Sequence, residues 1–257
     1  MNEESRAVAE SYDYTVSEYV ASEPRLAAVD HAPPIPDYLQ DTYWWAYLHP
    51  KALHFFEREW VVNLILWGNM RKLTQAVLGD LNVQPNSNVL QVACVYGEFS
   101  SLLAGHLASN GSKLELVDVA PIQLQNAREK LARHQNVGFH HQDSSALTFP
   151  AAKFDQTVVF FLLHEQPEEV RRKTIAEAIR VTRPGGKVIF VDYHGPRRSN
   201  PFRYVMKVVL KTLEPFAMDL WRQELPAFMP DSVRPEQLLY LDPEAYPLDI
   251  SVSDYEI

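Results

Sequence analysis

The segment Val89–Ser100, VLQVACVYGEFS, joins an apolar run typical of a buried strand to a short loop that ends at Gly97. Loops in this position of a nucleotide-binding fold normally carry two or three glycines. Glycine is favoured there because the backbone approaches a ligand closely or adopts a positive φ. This loop instead contains Ala93, Val95 and Tyr96. The segment therefore predicts a cofactor-binding turn in which side chains replace open backbone.

On either side of this segment, short apolar runs alternate with helical stretches. The predicted strands cover residues 89–93, 114–119, 137–143, 156–163 and 187–193. The helices between them are predicted at about 100–108, 123–134 and 167–181. Strands and helices that alternate at this spacing form βαβ units, with a parallel sheet covered on both faces. The chain therefore predicts an α/β, Rossmann-like fold with a doubly wound, mostly parallel sheet.

The flanking segments differ in composition from this central part. Residues 1–35 are polar and end in a proline-rich stretch, which indicates a flexible arm. Residues 36–84 are rich in aromatic residues at helical spacing and predict an N-terminal helical cap. We expect the cofactor-binding core at 85–195 and C-terminal helices with an acidic tail at 196–257. A hairpin is expected near the end of that tail.

The composition limits the classes of partner and compartment. The 257 residues carry a formal net charge of −9, which does not favour binding to nucleic acid. Cys94 is the only cysteine and has no internal disulfide partner, which is compatible with a reducing compartment. The N-terminus lacks the features of a signal peptide, and no apolar run approaches the roughly 18 residues that span a bilayer. We therefore expect a protein that is soluble or lies on a membrane surface.

Polar residues follow the carboxyl ends of the predicted strands, where ligands bind in doubly wound sheets. Asp118 lies 21 residues beyond Gly97, the spacing of an acidic residue that accepts hydrogen bonds from the ribose of a nucleotide. Taken alone, Asp118 is about equally compatible with a solvated strand end. The later strand ends carry Asp143-Ser144, His164-Glu165 and Asp192-Tyr193-His194. Together these residues favour a ligand site.

Across about residues 85–195 this arrangement resembles the class I S-adenosylmethionine-dependent methyltransferases. The first loop of that family reads acidic-x-Gly-x-Gly-x-Gly, and the aligned residues are Gln91, Ala93, Val95 and Gly97. The resemblance implies that S-adenosylmethionine binds with its ribose at Asp118 and its adenine edge at Asp143 and Ser144. The candidate cofactor-binding residues are Gln91, Ala93, Val95, Tyr96, Gly97, Asp118, Val119, Gln123, Asp143 and Ser144.

The departures from the family loop lie at the methionine end of the cofactor. Gln91 replaces the acidic residue and Ala93 and Val95 replace glycines, whereas the positions at the adenosine end are retained. We expect the added side chains to push or rotate the methionine moiety, and the Tyr96 hydroxyl to orient a polar group. A degenerate, inactive site is the alternative, although loss of function by drift would not selectively spare the adenosine end.

A narrower resemblance extends over roughly Pro36 to Arg222. It is carried by the segments PDYLQDTYWWAYLHP, NLILWGN, LQVACVYGEFS, FFLLHEQPEEVRRKT, RPGGKVIFVDYHGP and LEPFAMDLWR. Together these segments are similar to the rhodoquinone biosynthesis protein family, RquA. The resemblance implies that ubiquinone is converted to rhodoquinone when an amino group replaces a ring methoxy group. It also implies that S-adenosylmethionine is the nitrogen donor and that the metal is Mn²⁺.

This chemistry needs a group that takes a proton from the amine and a group that polarises a quinone carbonyl. The candidate catalytic residues are Tyr96, His164 and Glu165. Mn²⁺ favours oxygen ligands with some imidazole. The candidate metal ligands are His164, Asp192 and His194, with Glu98 in reserve. Both histidines are equally compatible with a structural role. The candidate quinone-binding residues are Tyr43, Trp44, Tyr47, Trp67 and Tyr193.

Two other functions are compatible with the sequence. One is a conventional methyltransferase that acts on a quinone or another lipid-like acceptor. The other is a non-catalytic, methyltransferase-like scaffold of a quinone-biosynthesis complex, which would bind ligand poorly. These alternatives differ in whether a methyl group, an amino group or nothing is transferred.

A lipid quinone as substrate implies a peripheral protein. We expect it at the cytoplasmic face of a bacterial inner membrane, or at the matrix side of the mitochondrial inner membrane. The predicted helix from Phe202 carries Arg203, Lys207 and Lys211 beside an apolar face and is a candidate for contact with the bilayer. Core packing is the alternative role of that face.

Overall fold

The computed structural model describes residues 32–66, 68–81, 83–193, 207, 216–223, 225–231, 238–241 and 250–256. Most of the predicted arm at 1–35 therefore lies outside the described residues. Trp67, His194 and, apart from Lys207, the predicted helix from Phe202 also lie outside them.

In the described part of the chain, seven strands form one sheet. Strands β1 to β5 occupy Asn88–Val92, Lys113–Asp118, Val137–His141, Phe154–Phe160 and Thr182–Tyr193, and β6 and β7 occupy Leu238–Leu241 and Ile250–Glu256. The strand order is β3-β2-β1-β4-β5-β7-β6. Strands β1 to β5 pair in parallel, whereas β7 pairs antiparallel with both β5 and β6. This topology confirms the predicted doubly wound, mostly parallel sheet.

The direction of winding reverses between β1 and β4, at the centre of the sheet. The chain builds outward from β1 to β3 and then returns to place β4 on the other side of β1. Such a reversal leaves a crevice at the carboxyl ends of the two neighbouring strands, where ligands bind in this class of sheet. The residues that follow β1 and β4 are therefore placed to contact a ligand.

The N-terminal region is helical, as its aromatic-rich pattern predicts. It contains α1 at Asp37–Thr42, a π-helical turn at Trp44–Leu48, α2 at Pro50–Phe56, α3 at Glu59–Ile65 and α4 at Met70–Asp80. Helix α4 buries Leu73 and Val77 in the core beside the sheet. We therefore use the term cap for residues 37–66 alone. No helix among the described residues is long and apolar enough to cross a membrane.

Helices cover both faces of the sheet. On one face, α5 at Phe99–Ala108 and α6 at Pro121–Lys130 share an apolar cluster with α4. On the other face, α7 at Glu168–Val181 packs in a second cluster with part of α8 at Ala217–Arg222. Because both faces are covered, a central strand such as β4 is buried along nearly its whole length.

Two strand boundaries differ from the prediction, one beside the crevice and one at the opposite end of the strands. β4 ends at Phe160 because Phe161 adopts a φ of 52° and Leu163–Glu165 form a 3₁₀ turn. The Asp192 carboxylate accepts hydrogen bonds from the N–H groups of Leu163 and His164, at 2.8 and 3.3 Å, in place of strand pairing. β5 begins at Thr182 rather than at residue 187, since the turn before it pairs with the start of β4.

The C-terminal region also differs from a simple acidic tail. Strands β6 and β7 pair antiparallel, as expected for a hairpin, and β7 additionally pairs with β5 along Lys187–Tyr193. Strands β6 and β7 therefore extend the sheet that carries the site.

Candidate active site

A cavity of about 660 Å³ lies where the carboxyl ends of the central strands meet the cap. Most of its lining is apolar, and aromatic side chains come from both the cap and the end of β4. The polar side chains that line it include Asp118, Gln123, Ser144, His164 and Glu165. A mainly apolar cavity with a few convergent polar groups is typical of a site for a small organic ligand.

The loop after β1 keeps a glycine-like backbone although most of the glycines are absent. Ala93 has a φ of 73° and Gly97 a φ of 77°. For a residue with a Cβ, this left-handed conformation costs about 1–2 kcal/mol. Ala93 lines the cavity. Strained backbone of this kind is concentrated at functional sites, and Phe161, the other cavity residue with a positive φ, follows β4.

Gln91 supports this loop from below. Its side chain is fully buried, and its amide donates hydrogen bonds to the Ala93 carbonyl at 2.9 Å and to Ser100 Oγ at 2.8 Å. A carboxylate has no hydrogen to donate, which gives a physical reason for glutamine at this position. Gln91 does not line the cavity and supports the loop that does, and its predicted contact with the cofactor stays a prediction.

Tyr96 joins the loop to the cap. Its ring stacks on those of Tyr47 and Phe56, with a centroid distance of 5.7 Å in each pair. Its hydroxyl donates to the Ala46 carbonyl at 2.7 Å and accepts from the Gln123 amide at 2.8 Å. Burial raises the pKa of the Tyr96 hydroxyl, so the phenol stays protonated and is a hydrogen-bond donor. Both Tyr96 and Gln123, two of the predicted cofactor-binding residues, line the cavity.

An ion pair makes a second link between the cap and the loop. Glu57, just after α2, accepts hydrogen bonds from Lys130 Nζ at 2.7 Å, from Asn126 at 2.6 Å and from the Gly97 N–H at 3.1 Å. Lys130 also donates to the Val95 carbonyl at 2.8 Å. Val95 lines the cavity. Gly97 does not line it, and its N–H points toward Glu57. Gly97 is therefore a turn residue tied to Glu57, and its contact with the cofactor stays a prediction.

Replacing Glu57 with alanine is expected to loosen the cap, because it leaves the Lys130 ammonium and the Gly97 N–H without their carboxylate. Hydrogen bonds to a charged group contribute about 1.5–3 kcal/mol, and partial solvent exposure reduces that value here. We expect a lower Tm and faster proteolysis within residues 37–66. The control Glu168→Ala removes an exposed ion pair of α7 and should leave proteolysis of the cap unchanged. Equal proteolysis of both variants would contradict a linking role of Glu57.

Asp118 ends β2 and lines the cavity beside the loop. Its carboxylate accepts hydrogen bonds from the N–H groups of Cys94 at 2.7 Å and Ala120 at 2.8 Å. Burial raises the pKa of Asp118, and the two N–H groups oppose this shift because they stabilise the charged form. Each carboxylate oxygen accepts more than one hydrogen bond. The side chain can therefore also accept hydrogen bonds from ribose hydroxyls, and this acceptor fits the adenosine part of S-adenosylmethionine.

The residues after β2 and β3 divide into those that line the cavity and one that shapes a turn. Val119 and Ser144 line it, as does Gln142, which was not predicted. Asp143 does not: its carboxylate accepts hydrogen bonds from Ser145 N and Oγ, both at 2.8 Å. The side chain of Asp143 thus caps its own turn, and its contact with the adenine edge stays a prediction.

A polar cluster follows β4 in the 3₁₀ turn. His164 Nδ1 lies 3.0 Å from Asp192 Oδ1, and His164 Nε2 lies 3.7 Å from Glu165 Oε1. The Tyr47 hydroxyl donates a hydrogen bond to the Glu165 carboxylate, which connects the cap to the cluster. Because the carboxylate of Asp192 accepts from Nδ1, it fixes the orientation of the imidazole. The structure therefore brings two predicted catalytic residues, His164 and Glu165, together at the cavity.

A buried arginine holds the turn that carries this cluster. Arg171 is fully buried in α7, and its guanidinium donates to the carbonyls of Leu163, Gln166 and Phe216 at 2.8, 2.8 and 2.9 Å. Burial lowers the pKa of Arg171, and the guanidinium stays charged at neutral pH. Arg171 thereby fixes both ends of the turn that positions His164.

The cluster does not fit the predicted metal site. The oxygens of Asp192 are engaged by the N–H groups of Leu163, His164 and Tyr193 and by the His164 ring. Asp192 therefore faces the turn and does not line the cavity. Glu98 is exposed at the start of α5, and His194 lies outside the described residues. Among the residues that the structure describes, no group of three or more His, Cys, Asp or Glu is arranged to hold a metal ion.

The predicted quinone-binding residues are only partly gathered at the cavity. Tyr47 and Tyr193 line it, and Trp67 lies outside the described residues. Tyr43 is fully buried and packs against the rings of Tyr47 and Phe216. Trp44 is partly exposed at the surface. Neither Tyr43 nor Trp44 lines the cavity, because successive residues of the helical turn point in different directions.

Several cavity residues were missed by sequence reasoning. Tyr38, Trp45, Phe56 and Phe161 all line the cavity. Trp45 follows Trp44 directly, and the aromatic pattern alone does not show which of the two faces inward. Burial raises the pKa of Tyr38, whose hydroxyl interacts with Gln166.

The central part of the chain is similar to known methyltransferases. A family model described as a methyltransferase domain matches residues 89–186. The demethylmenaquinone methyltransferase of Listeria welshimeri is 30% identical over 157 residues, which cover 58% of this chain and 64% of that protein. The protein of the same name from Staphylococcus epidermidis is 26% identical over 180 residues, covering 66% and 72%. The match thus spans less than two thirds of the length of the Listeria protein.

Solved structures share the fold. An S-adenosylmethionine-dependent methyltransferase from Aquifex aeolicus superposes with a TM-score of 0.53 at 16% identity, covering 81% of this chain and 99% of that chain. At this identity the likeness concerns the fold alone. It agrees with the strand order and with a ligand crevice at the carboxyl ends of β1 and β4. The chain therefore has the predicted Rossmann-like class I methyltransferase fold, and its residues 89–186 are similar to a methyltransferase domain.

Proposed function

We propose that the protein transfers a group from S-adenosylmethionine to a lipid-tailed quinone bound beneath the cap. One observation carries the proposal: a single cavity extends from Ala93 and Asp118, beside the cofactor loop, to Trp45 and Phe56 in the cap. A donor held by the loop and an acceptor held by the cap would share this chamber. Holding two reactants close together supplies a large part of catalysis in group transfer.

The donor end of the cavity suits the adenosine part of S-adenosylmethionine. The Asp118 carboxylate would accept hydrogen bonds from the ribose hydroxyls, and Ser144, which also lines the cavity, would contact the adenine edge. When bound, S-adenosylmethionine supplies an electrophilic methyl group and an α-amino group. The side chains of Ala93, Val95 and Tyr96 would decide which of the two groups faces the acceptor.

The acceptor end of the cavity suits a planar, apolar ring. Trp45, Tyr47, Phe56 and Phe161 line it, and aromatic walls of this kind pack against a quinone ring in offset or edge-to-face arrangements. The names of the curated relatives also support a quinone, since both are demethylmenaquinone methyltransferases. The RquA-like segments favour ubiquinone among the quinones.

The finer proposal is that the amino group is transferred, which converts ubiquinone to rhodoquinone. Ala93 and Val95 line the cavity at loop positions where class I methyltransferases carry glycine. Their side chains would turn the methionine end away from the orientation that donates methyl. The Tyr96 ring stacks on two other rings and its hydroxyl is hydrogen-bonded, so it acts as a fixed wall. These features and the similarity to RquA support amino transfer together.

Amino transfer would form a bond between the donor nitrogen and a ring carbon, break the ring bond to the methoxy group, which leaves as methanol, and break the bond between the nitrogen and Cα of the donor. An amine attacks a quinone only when it is unprotonated, so a residue at the cavity must accept its proton and return it to the departing methoxy oxygen. We assign this role to His164, whose imidazole Asp192 orients through Nδ1. Glu165 would orient the protonated amino group of the donor before its proton is removed. The Tyr47 hydroxyl holds the Glu165 carboxylate in place. General bases held in this way contribute about 10²–10⁴-fold to rate.

Conventional methyl transfer to a quinone is the second candidate. The observation that favours it is the match to the methyltransferase domain and to the two demethylmenaquinone methyltransferases. The same cavity would serve, with the donor methyl group facing the quinone ring. The two candidates therefore differ in the orientation of the methionine end.

Doubly labelled donor separates the two candidates in one experiment. The purified chain is incubated with S-adenosylmethionine labelled with ¹⁵N at the amino group and ¹³C at the methyl group, with and without Mn²⁺. Short-tailed ubiquinone and a demethylated short-tailed menaquinone are the two acceptors. We expect a ubiquinone product that carries ¹⁵N in place of a methoxy group. A product with ¹³C would establish methyl transfer instead, and no labelled product under any condition would favour the scaffold.

A further inference from the structure

One side of the cap exposes large apolar side chains. Phe55 on α2 is 44% exposed, and Trp60, Leu64 and Ile65 on α3 are 59%, 67% and 45% exposed. We call these four residues the apolar face. Trp60 and Leu64 are four positions apart and therefore lie on one side of α3, whose other side is buried at Val61 and Val62. A helix that is apolar on both sides is typical of one with a binding partner.

The apolar face adjoins the cavity. Leu64 and Ile65 line the cavity and are also exposed, so they form part of its rim. Phe55 contacts Phe56, another cavity residue, with ring centroids 5.3 Å apart, and lies 6.1 Å from the ring of Trp60. Apolar surface thus runs from the cavity to the outside of the cap.

Basic side chains flank the apolar face, although the whole chain carries a formal charge of −9. Lys51 is exposed on α2, one turn before Phe55. The Arg58 guanidinium lies 6.0 Å from the centroid of the Phe55 ring. Glu59 is an exposed acid beside them, whereas Glu57 is engaged with Lys130. Aromatic and aliphatic side chains with adjacent cations are complementary to an anionic lipid surface.

We propose that the apolar face docks on an anionic lipid bilayer, and that the substrate tail leaves the cavity past Leu64 and Ile65 into the acyl chains. The proposal that the face docks on a bilayer is argued from the exposed residues alone. The proposal about the substrate tail rests on the proposed quinone function. Docking in this way lets a water-insoluble quinone reach the cavity without crossing water. A symmetric contact with a second copy is less favourable, because it brings Lys51 and Arg58 of both copies together.

Co-sedimentation of the full chain with vesicles tests the docking. We expect stronger binding to phosphatidylcholine vesicles that contain phosphatidylglycerol than to phosphatidylcholine alone, and weaker binding at high salt. The double variant Phe55→Ser/Trp60→Ser removes two rings that do not line the cavity. Its binding to the vesicles should be weaker by a factor of about ten or more. Leu102→Ser removes a leucine that is 47% exposed on α5, outside the cap. This matched control should bind like the unchanged chain.

Turnover with two substrates separates docking from chemistry. With a short-tailed quinone in buffer, the double variant should keep the turnover of the unchanged chain. With a long-tailed quinone in vesicles, its turnover should fall about tenfold, in step with binding. If the unchanged chain turned over neither quinone, the proposed function would be overturned. The vesicle-binding measurement would still test the docking proposal in that case.

Two results would overturn the docking proposal. The first is equal vesicle binding by the double variant and the unchanged chain. The second is a dimer of the unchanged chain in vesicle-free solution that the double variant loses, because this would assign the apolar face to a second copy.

Discussion

Replacing His164 with glutamine is expected to lower product formation by about a hundredfold to ten-thousandfold, the range for loss of a general base. His164 lines the cavity, and Asp192 fixes its ring through Nδ1 at 3.0 Å. Glutamine keeps a polar side chain at this position but accepts no proton near neutral pH. Turnover is measured with labelled donor, and donor affinity is measured by calorimetry. We expect the affinity to stay within about threefold while turnover falls.

His134→Gln is the matched control for this prediction. His134 is partly buried near Ser101 of α5 and does not line the cavity. Its replacement should leave turnover unchanged. If His164→Gln kept more than a third of the original turnover, His164 would not be the proton acceptor.

The second large effect is expected at Asp118. Asp118→Ala removes the carboxylate that lines the cavity at the end of β2 and that accepts from the N–H groups of Cys94 and Ala120. Hydrogen bonds to a charged group contribute about 1.5–3 kcal/mol, so the Kd for S-adenosylmethionine should rise about ten- to hundredfold. Calorimetric titration with S-adenosylhomocysteine, which has the same adenosine part, should show the same loss.

Asp155→Ala separates this effect from a general loss of stability. The Asp155 carboxylate also accepts a backbone hydrogen bond, from the N–H of Asn88 at 2.6 Å, but at the start of β1, the opposite edge of the sheet from the cavity. We expect this control to lower the Tm without changing the Kd. An unchanged Kd in Asp118→Ala would show that Asp118 does not hold the ribose.

The fold was predictable because its signals are local. The alternation of apolar runs and helical stretches needs only neighbouring residues, and it specified the parallel core through β5. The position of Asp118 followed from its spacing to the loop. β7 was harder to predict, because its pairing with β5 joins segments that are far apart in sequence.

The site was less predictable because the direction of each side chain depends on tertiary contacts. Asp192 was predicted to face a metal, but backbone N–H groups of the 3₁₀ turn attract its carboxylate. Asp143 caps its own turn for a similar reason. Among the cap aromatics, the twist of the π-helical turn decides that Trp45 faces the cavity and Trp44 does not. The link from Glu57 to Lys130 joins residues far apart in sequence and has no local signal.

The most direct test of the central claim is to label the cavity with a quinone. A short-tailed ubiquinone analogue that carries a photoreactive azide is irradiated with the protein and S-adenosylhomocysteine, and the labelled peptides are identified by mass spectrometry. We predict label on Trp45, Phe56 or Phe161, and its loss when unlabelled quinone is added in excess. Label confined to peptides outside the cap and outside residues 160–165 would contradict a quinone site beneath the cap.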